Sequence, residues 1–233
     1  MRISPLKYLM RLGIYFFIFL LTTSVFTVFF TRYIPVIVTP YKVYRMVGNL
    51  QDYGLGVKVE WSRVKNISPV VVSAVISTED AKFVDHNGFD FDAISKAREE
   101  RKKGKRFRGA STISQQTAKN VFCTPHRNWF RKGIEAYFTV LIETFWSKKR
   151  IMEVYLNVVE IRPGMYGVGS AAKFVYNKKT SELNVYEAAM IATVLPNPYV
   201  MNIMNPSSYM NRRASDVRSL INKTGSVDFD KKK

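Results

Sequence analysis

Apolar residues run unbroken by ionisable groups, apart from the Tyr15 phenol, through LGIYFFIFLLTTSVFTVFF at residues 12–30. Nineteen residues at ~1.5 Å each nearly span the ~30 Å hydrocarbon layer of a bilayer. The run exceeds a ~7–15-residue signal core and no small-x-small cleavage site follows, which favours an uncleaved anchor over a signal peptide or a buried core helix. Beyond it the pattern loses period, and Pro35, Pro40, Gly48, Gly54 and Gly56 interrupt any long helix, so this stretch reads as a stalk.

From Ser68 onward the apolar positions recur with helical spacing. Ser68 can cap a helix whose first position is Pro69, and the pattern predicts that helix over 69–82. Val71, Val72, Ala74, Val75 and Ile76 then share one broad apolar sector, Ser73, Ser77 and Asp80 lie opposite or beside it, and Glu79 falls inside it. Further helices are predicted to open near Asp90 or Asp92 and at Thr112, where Gln115 completes a T-x-x-Q capping box. A long helical stretch is predicted from about Asn128 to Ile161, and another starts at Asn184, with Glu187 in capping-box spacing, and stops at Pro196. Few segments alternate with period two, so strands should be minor and the chain mainly α. The domain organisation expected is residues 1–11 as a cytoplasmic N-terminus, 12–31 as the anchor, 32–60 as stalk, 61–220 as one domain and 221–233 as a disordered basic tail.

Composition narrows the partners. Of 233 residues, 36 are Lys or Arg and 18 Asp or Glu, a formal charge of +18, which favours polyanions, phosphorylated substrates or an acidic membrane surface. Arg2, Lys7 and Arg11 precede the anchor and favour a cytoplasmic N-terminus, although Arg32, Lys42 and Arg45 beyond it reduce the asymmetry. The single cysteine, Cys123, cannot form an internal disulfide. Neither His86 nor His126 sits in a metal-ligand spacing, so no tightly held zinc is expected.

Three stretches carry candidate chemistry. In STEDAKFVDHNG, a Glu79 held on an apolar helix face is partly desolvated, which raises its pKa toward the range useful to a general base or acid; the plainer alternative is a helix that ends before Glu79 and leaves it in water. In KAREERKKGKRFRGASTISQQTAKN, seven Lys or Arg between Arg98 and Arg108 lead into a helix N-terminus at Thr112. Free N–H groups there and nearby cations such as Arg108 suit a phosphate, and Gln115, Gln116 and Lys119 can face one side. A solvated loop or a patch resting on lipid headgroups is the alternative for the charge run. In RKGIE, Glu135 lies four residues after Arg131 and three after Lys132, either ordinary surface pairing worth ~0.2–0.5 kcal/mol per pair or a carboxylate held by two cations beside a diphosphate.

Taken together, EDAKFVDHNGFD, GASTISQQTAKN, RKGIE and SKKRIMEVYLN, followed by YGVGSAA and LPNP, resemble the peptidoglycan glycosyltransferases of glycosyltransferase family 51 in their monofunctional biosynthetic form. The resemblance covers residues 60–205 and implies a lysozyme-like, mainly helical glycosyltransferase domain behind a single N-terminal transmembrane helix, at the bacterial inner membrane with the domain on the periplasmic side. It implies lipid II and the growing glycan chain as substrates, with other cell-wall synthesis and division proteins as partners and no nucleic acid. By this resemblance Glu79 is the catalytic base and Asp80 its supporting neighbour. Ser111, Thr112, Gln115, Gln116 and Lys119 line the donor diphosphate site, and Arg131 and Lys132 belong to it through the third block. Glu135 stabilises the leaving diphosphate directly or through a divalent cation, Mg or Mn, with no tightly bound cofactor. Lys148, Glu153, Tyr155 and Asn157 are mainly structural. Ala110 stands where the family commonly has Gly, EIRPGMYG replaces a glycine-rich run, and KKR at 148–150 is more basic than usual. Two rival readings are a lysozyme-like glycan-cleaving enzyme and a membrane-tethered polyanion-binding protein.

Overall fold

A computed structural model describes residues 5–48, 57–104, 109–126, 128–225 and 227–229. Its chain divides into two compact units, residues 1–34 and 35–233. The described part of the first is helix α1, Pro5–Thr31, with a mean hydropathy of 2.1 over its most apolar window. It is long and apolar enough to cross a membrane. It also begins earlier than the apolar run itself, because Leu6 to Arg11 continue the same helical hydrogen bonding.

The second unit is built from helices: α2 (Pro40–Gly48), α3 (Pro69–Glu79), α4 (Phe91–Lys102), α5 (Ile113–Phe122), α6 (Trp129–Phe145), α7 (Lys148–Val158), α8 (Val168–Phe174), α9 (Val185–Val194) and α10 (Ser208–Thr224). Helix α9 packs on α3 and α10, and α5 packs on α6, α7 and α2. Most of α3 and all of α9 beyond its first residues are buried, so these two apolar helices form the centre on which the amphipathic ones lean. Among the described residues, strands are limited to β1 (Lys58–Val59), β2 (Glu160–Arg162) and β3 (Met165–Tyr166) in the order β1-β3-β2, β1 parallel and β2 antiparallel to β3. The EIRPGMYG stretch is thus a hairpin, with Gly164 at φ 75 in its turn.

Local capping sets several boundaries where the sequence predicts them. Asp90 caps α4 through Ala93 N, and complete capping boxes start α5 at Thr112 and α9 at Asn184. Ser68 occupies the N-cap position before Pro69, but its side chain makes no capping bond.

Three expectations are corrected. Helix α3 ends at Glu79 rather than at residue 82, because Asp80 leaves helical geometry (φ −162, ψ 78). The long helix expected over 128–161 is two helices and a strand: Trp146 turns extended and buries its ring, and Ser147 starts α7 by accepting from Arg150 N. Helix α10 continues through residues 221–224, expected to be disordered, and Gly225 O accepts a 2.7 Å hydrogen bond from Ser73 Oγ. The stretch read as stalk contains α2 and β1, both part of the second unit; residues 49–56 within it lie outside the described residues.

Candidate active site

Glu79 is the last residue of α3, and its position at the helix end is what lets one side chain belong both to the core helix and to the surface of a cavity. That cavity, about 400 Å³, is lined by Glu79, Asp80, Lys82, Ser111 and Thr112 among others. Glu79 is half-buried, and Gln116 Nε2 donates to its Oε2 at 2.8 Å. Burial pushes its pKa above the ordinary glutamate value, while the Gln116 hydrogen bond and the charges of Arg213 and Lys119 pull the other way and Asp80 adds to the rise. The amide of Gln116 has its direction fixed from behind: its Oε1 accepts from the hydroxyl of the fully buried Tyr155 at 3.3 Å.

Asp80 is more buried than Glu79, the reverse of what a continuous helix over 69–82 would give, because its C-cap geometry turns the side chain inward. Its Oδ2 accepts from Ile113 N, the first residue of α5, at 2.9 Å, and both oxygens lie 3.0 Å from His86 Nε2. Gly88 N donates to His86 Nδ1 at 3.1 Å, which leaves Nε2 as the nitrogen that carries the proton toward Asp80. Gly88 O in turn accepts from Thr112 Oγ1 at 2.7 Å. Residues 80–88 are thereby tied to the start of α5.

This arrangement changes the expected role of the α5 N-terminus. Ile113 N is taken by Asp80, Gln115 N by Thr112 Oγ1, and Thr112 N by Gln115 Oε1. The anion that fills the helix end is the protein's own carboxylate. Gln115, buried and committed to the capping box, does not face Gln116 and Lys119 as the helical spacing suggested; Thr112 lines the larger cavity but is likewise engaged. Arg108 lies outside the described residues.

The cations gather instead in a second cavity of about 250 Å³, lined by Tyr41, Arg45, Lys119, Arg131, Lys132 and Glu135 together with Ser111 and Gln116. Arg131 Nη1 pairs with Glu135 Oε2 at 2.6 Å, and Lys132 Nζ pairs with Oε1 of the same buried carboxylate. Burial holds the Lys119 ammonium below its usual pKa; Glu135 opposes the shift, and Arg131 and Lys132 add to it. A group so placed gains when an anion enters. Ser111 borders both cavities, and the Glu79–Gln116 hydrogen bond joins a wall of one to a wall of the other.

The donor set does not suit a resident divalent cation. Glu135 is one carboxylate with both oxygens already engaged by cations, and among the described residues no group of three or more His, Cys, Asp or Glu comes together. The fourth block is a brace. Lys148 Nζ pairs with Glu143 at 2.7 Å, where Ser114 Oγ also donates; Glu153 Oε2 accepts from Val64 N, and Asn157 exchanges hydrogen bonds with Ser62 N and O. Sequence reasoning missed Tyr41, Arg45, His86 and Glu143. His86 carried a signal in its proximity to Glu79-Asp80, whereas Tyr41 and Arg45 sit in a stretch without motif or period.

A family model described as Transglycosylase matches residues 47–222. The chain is 47% identical over 205 residues to a biosynthetic peptidoglycan transglycosylase of Bdellovibrio bacteriovorus, covering 88% of this chain and 80% of that protein. Proteins of the same description from Bacteroides thetaiotaomicron (46% over 222 residues, 94% and 88% covered) and Caulobacter vibrioides (44% over 214 residues, 92% and 90% covered) are similar along almost their whole length. With the match extending over most of the chain and through every residue from Glu79 to Asn157 that builds the two cavities and their brace, this protein belongs to the transglycosylase family.

Proposed function

We propose that the protein polymerises lipid II into linear glycan strands, transferring the growing lipid-diphosphate-linked chain to the 4-hydroxyl of an acceptor lipid II. The observation that carries this reading is a carboxylate of raised pKa at the junction of two cavities, one of which holds a cluster of cations. The acceptor oxygen attacks the anomeric carbon of the donor; its proton passes to Glu79; the bond from that carbon to the diphosphate oxygen breaks, and the electron pair leaves with the lipid diphosphate. A single displacement turns the α-linked donor into a β-linked product and needs no covalent glycosyl-enzyme. Lys119, Arg131 and Lys132 neutralise the departing charge, which is where electrostatic stabilisation contributes most.

Glu135 acts by holding Arg131 and Lys132 in the cavity, and Asp80 acts by joining the Glu79 end of α3 to α5, the helix that carries Gln116 and Lys119. Substrate carried on a lipid explains why such a site stands behind α1. In this reading α1 spans the inner membrane with its N-terminus in the cytoplasm and the catalytic unit on the periplasmic side, where cell-wall synthesis and division proteins that act on the same strands would meet it. A glycan-cleaving enzyme would leave the cation cluster without a charge to neutralise.

The test is lipid II polymerisation by wild type and Glu79→Gln in detergent. Loss of general-base assistance is expected to slow the variant by about 10²–10⁴-fold, with preformed glycan left intact by both proteins. Polymer formed by the variant at the wild-type rate would remove Glu79 as the base, and shortened glycan would replace synthesis by cleavage.

A further inference from the structure

Tyr41 and Arg45 precede residue 47, where the family match begins, yet α2 brings both to the wall of the 250 Å³ cation cavity. The Arg45 guanidinium carbon lies 4.9 Å from the centre of the Tyr199 ring and 5.6 Å from that of Tyr41, and its Nη2 reaches the Tyr41 hydroxyl at 3.4 Å. Lys119 Nζ lies 5.9 Å from the Tyr41 ring as well. One tyrosine therefore sits beside two cations, Arg45 of α2 and Lys119 of α5, that lie 74 positions apart in sequence.

Donors outnumber acceptors here. Among the described residues Arg45 makes no ion pair, and the buried Nε–H groups of both Arg45 and Arg131 meet no acceptor. The carboxylate whose field Arg45 feels, Glu160, is itself occupied by the Tyr199 hydroxyl at 3.1 Å and by Gly164 N. Among the described residues, four cationic side chains thus line a cavity whose one carboxylate, Glu135, is already shared by two of them.

We propose that Arg45 is a phosphate-binding residue of the donor site, supplied by the helix ahead of the catalytic blocks. The inference rests on the function proposed above. A sugar-linked lipid diphosphate carries two negative charges, and breaking the sugar bond exposes a third ionisable oxygen on the leaving group. A planar guanidinium clamped beside aromatic rings can take two phosphate oxygens at once with little ordering cost, which an ammonium cannot. Arg45 thereby adds its charge to those of Lys119, Arg131 and Lys132 as the leaving group forms.

Titration calorimetry on the full-length protein in detergent tests this, with inorganic diphosphate in one arm and a short polyprenyl diphosphate in mixed micelles in the other. Arg45→Gln is expected to weaken binding tenfold or more, Arg45→Lys less, and Arg212→Gln, on the exposed face of α10, not at all. Loss in both arms, or in the lipid arm alone, supports the assignment, the latter to the membrane-held diphosphate. Wild-type affinity of Arg45→Gln in both arms overturns it. So does an equal loss in Glu160→Gln, which would make Arg45 a prop for α2 rather than a ligand. Glu79→Gln should still bind diphosphate: failure of wild type to polymerise lipid II would sink the functional reading, whereas Arg45-independent binding would sink this inference alone.

Discussion

At the scale of single residues, Glu79 is poised between burial, which favours its neutral form, and the Gln116 amide, which favours its charged form. Replacing Gln116 with Leu removes the second influence, so the Glu79 pKa should rise further. The base proposed here works only when deprotonated, and the acid limb of the polymerisation rate profile is expected to move to higher pH; an unmoved limb would show that the hydrogen bond does not tune Glu79, or that Glu79 is not the base. Tyr155→Phe should act in the same direction and more weakly, since it frees the amide without removing it. The same balance has a stability sign. A carboxyl whose pKa is raised in the folded state binds its proton more tightly there, so it lowers stability as pH climbs from the ordinary glutamate range through the raised value. Glu79→Gln is therefore expected to melt at least as high as wild type at pH 8, measured by calorimetry, while losing activity.

At the scale of elements, the junction of residues 80–88 with α5 decides where Gln116 and Lys119 point. Asp80→Ala removes the acceptor of Ile113 N and the partner of His86 together, and is expected to cost about 1–3 kcal/mol of stability. Gly88 is fixed there for two reasons. Its φ is +89, and a Cβ on it would lie 2.8 Å from Thr139 Cγ2 and 3.0 Å from Glu143 Cγ. Gly88→Ala should cost about 1–3 kcal/mol and lower polymerisation with it, checked by urea unfolding and by turnover on lipid II. Full stability and turnover would mean that this loop moves independently of α5. The turn at Trp146–Ser147 has a similar consequence: it lets Lys148 meet Glu143 of the preceding helix, and it directs Glu153 and Asn157 of α7 toward residues 62–64.

At the scale of the whole molecule, the apolar helix and the charged unit divide the work between location and chemistry. Residues 35–233 form a compact unit apart from α1, so a chain beginning at residue 35 is expected to fold and to polymerise lipid II in detergent at a rate near that of the full protein. On vesicles it should fall well behind, because the anchor raises the effective concentration of catalyst at the surface that holds both substrates. Equal rates on vesicles would leave the anchor without a catalytic role. A chain beginning at residue 49 loses Tyr41 and Arg45 as well, and should be impaired in detergent too. The net charge of +18 adds attraction to anionic lipid that salt weakens.

By itself the sequence determined what is encoded within a few neighbouring residues. The membrane-length helix follows from an unbroken apolar run, the starts of α4, α5 and α9 from side chains that cap their own helices, and the Arg131–Glu135–Lys132 cluster from helical spacing. The helix that carries Glu79 was legible from its apolar pattern, apart from its last turn, and the roles of Glu79 and the blocks around it only as a resemblance. Tertiary structure alone decided which of those groups were left free for a substrate. Asp80 fills the α5 N-terminus from 33 positions away, Tyr155 turns Gln116 toward Glu79 from 39 positions away, and Arg45 reaches the cation cavity from a stretch that reads as a stalk. Hydrogen bonds and charges of this kind are won by whichever partner packing brings near, and nothing in the periodicity of one segment records the chemistry of the segment that will lie against it.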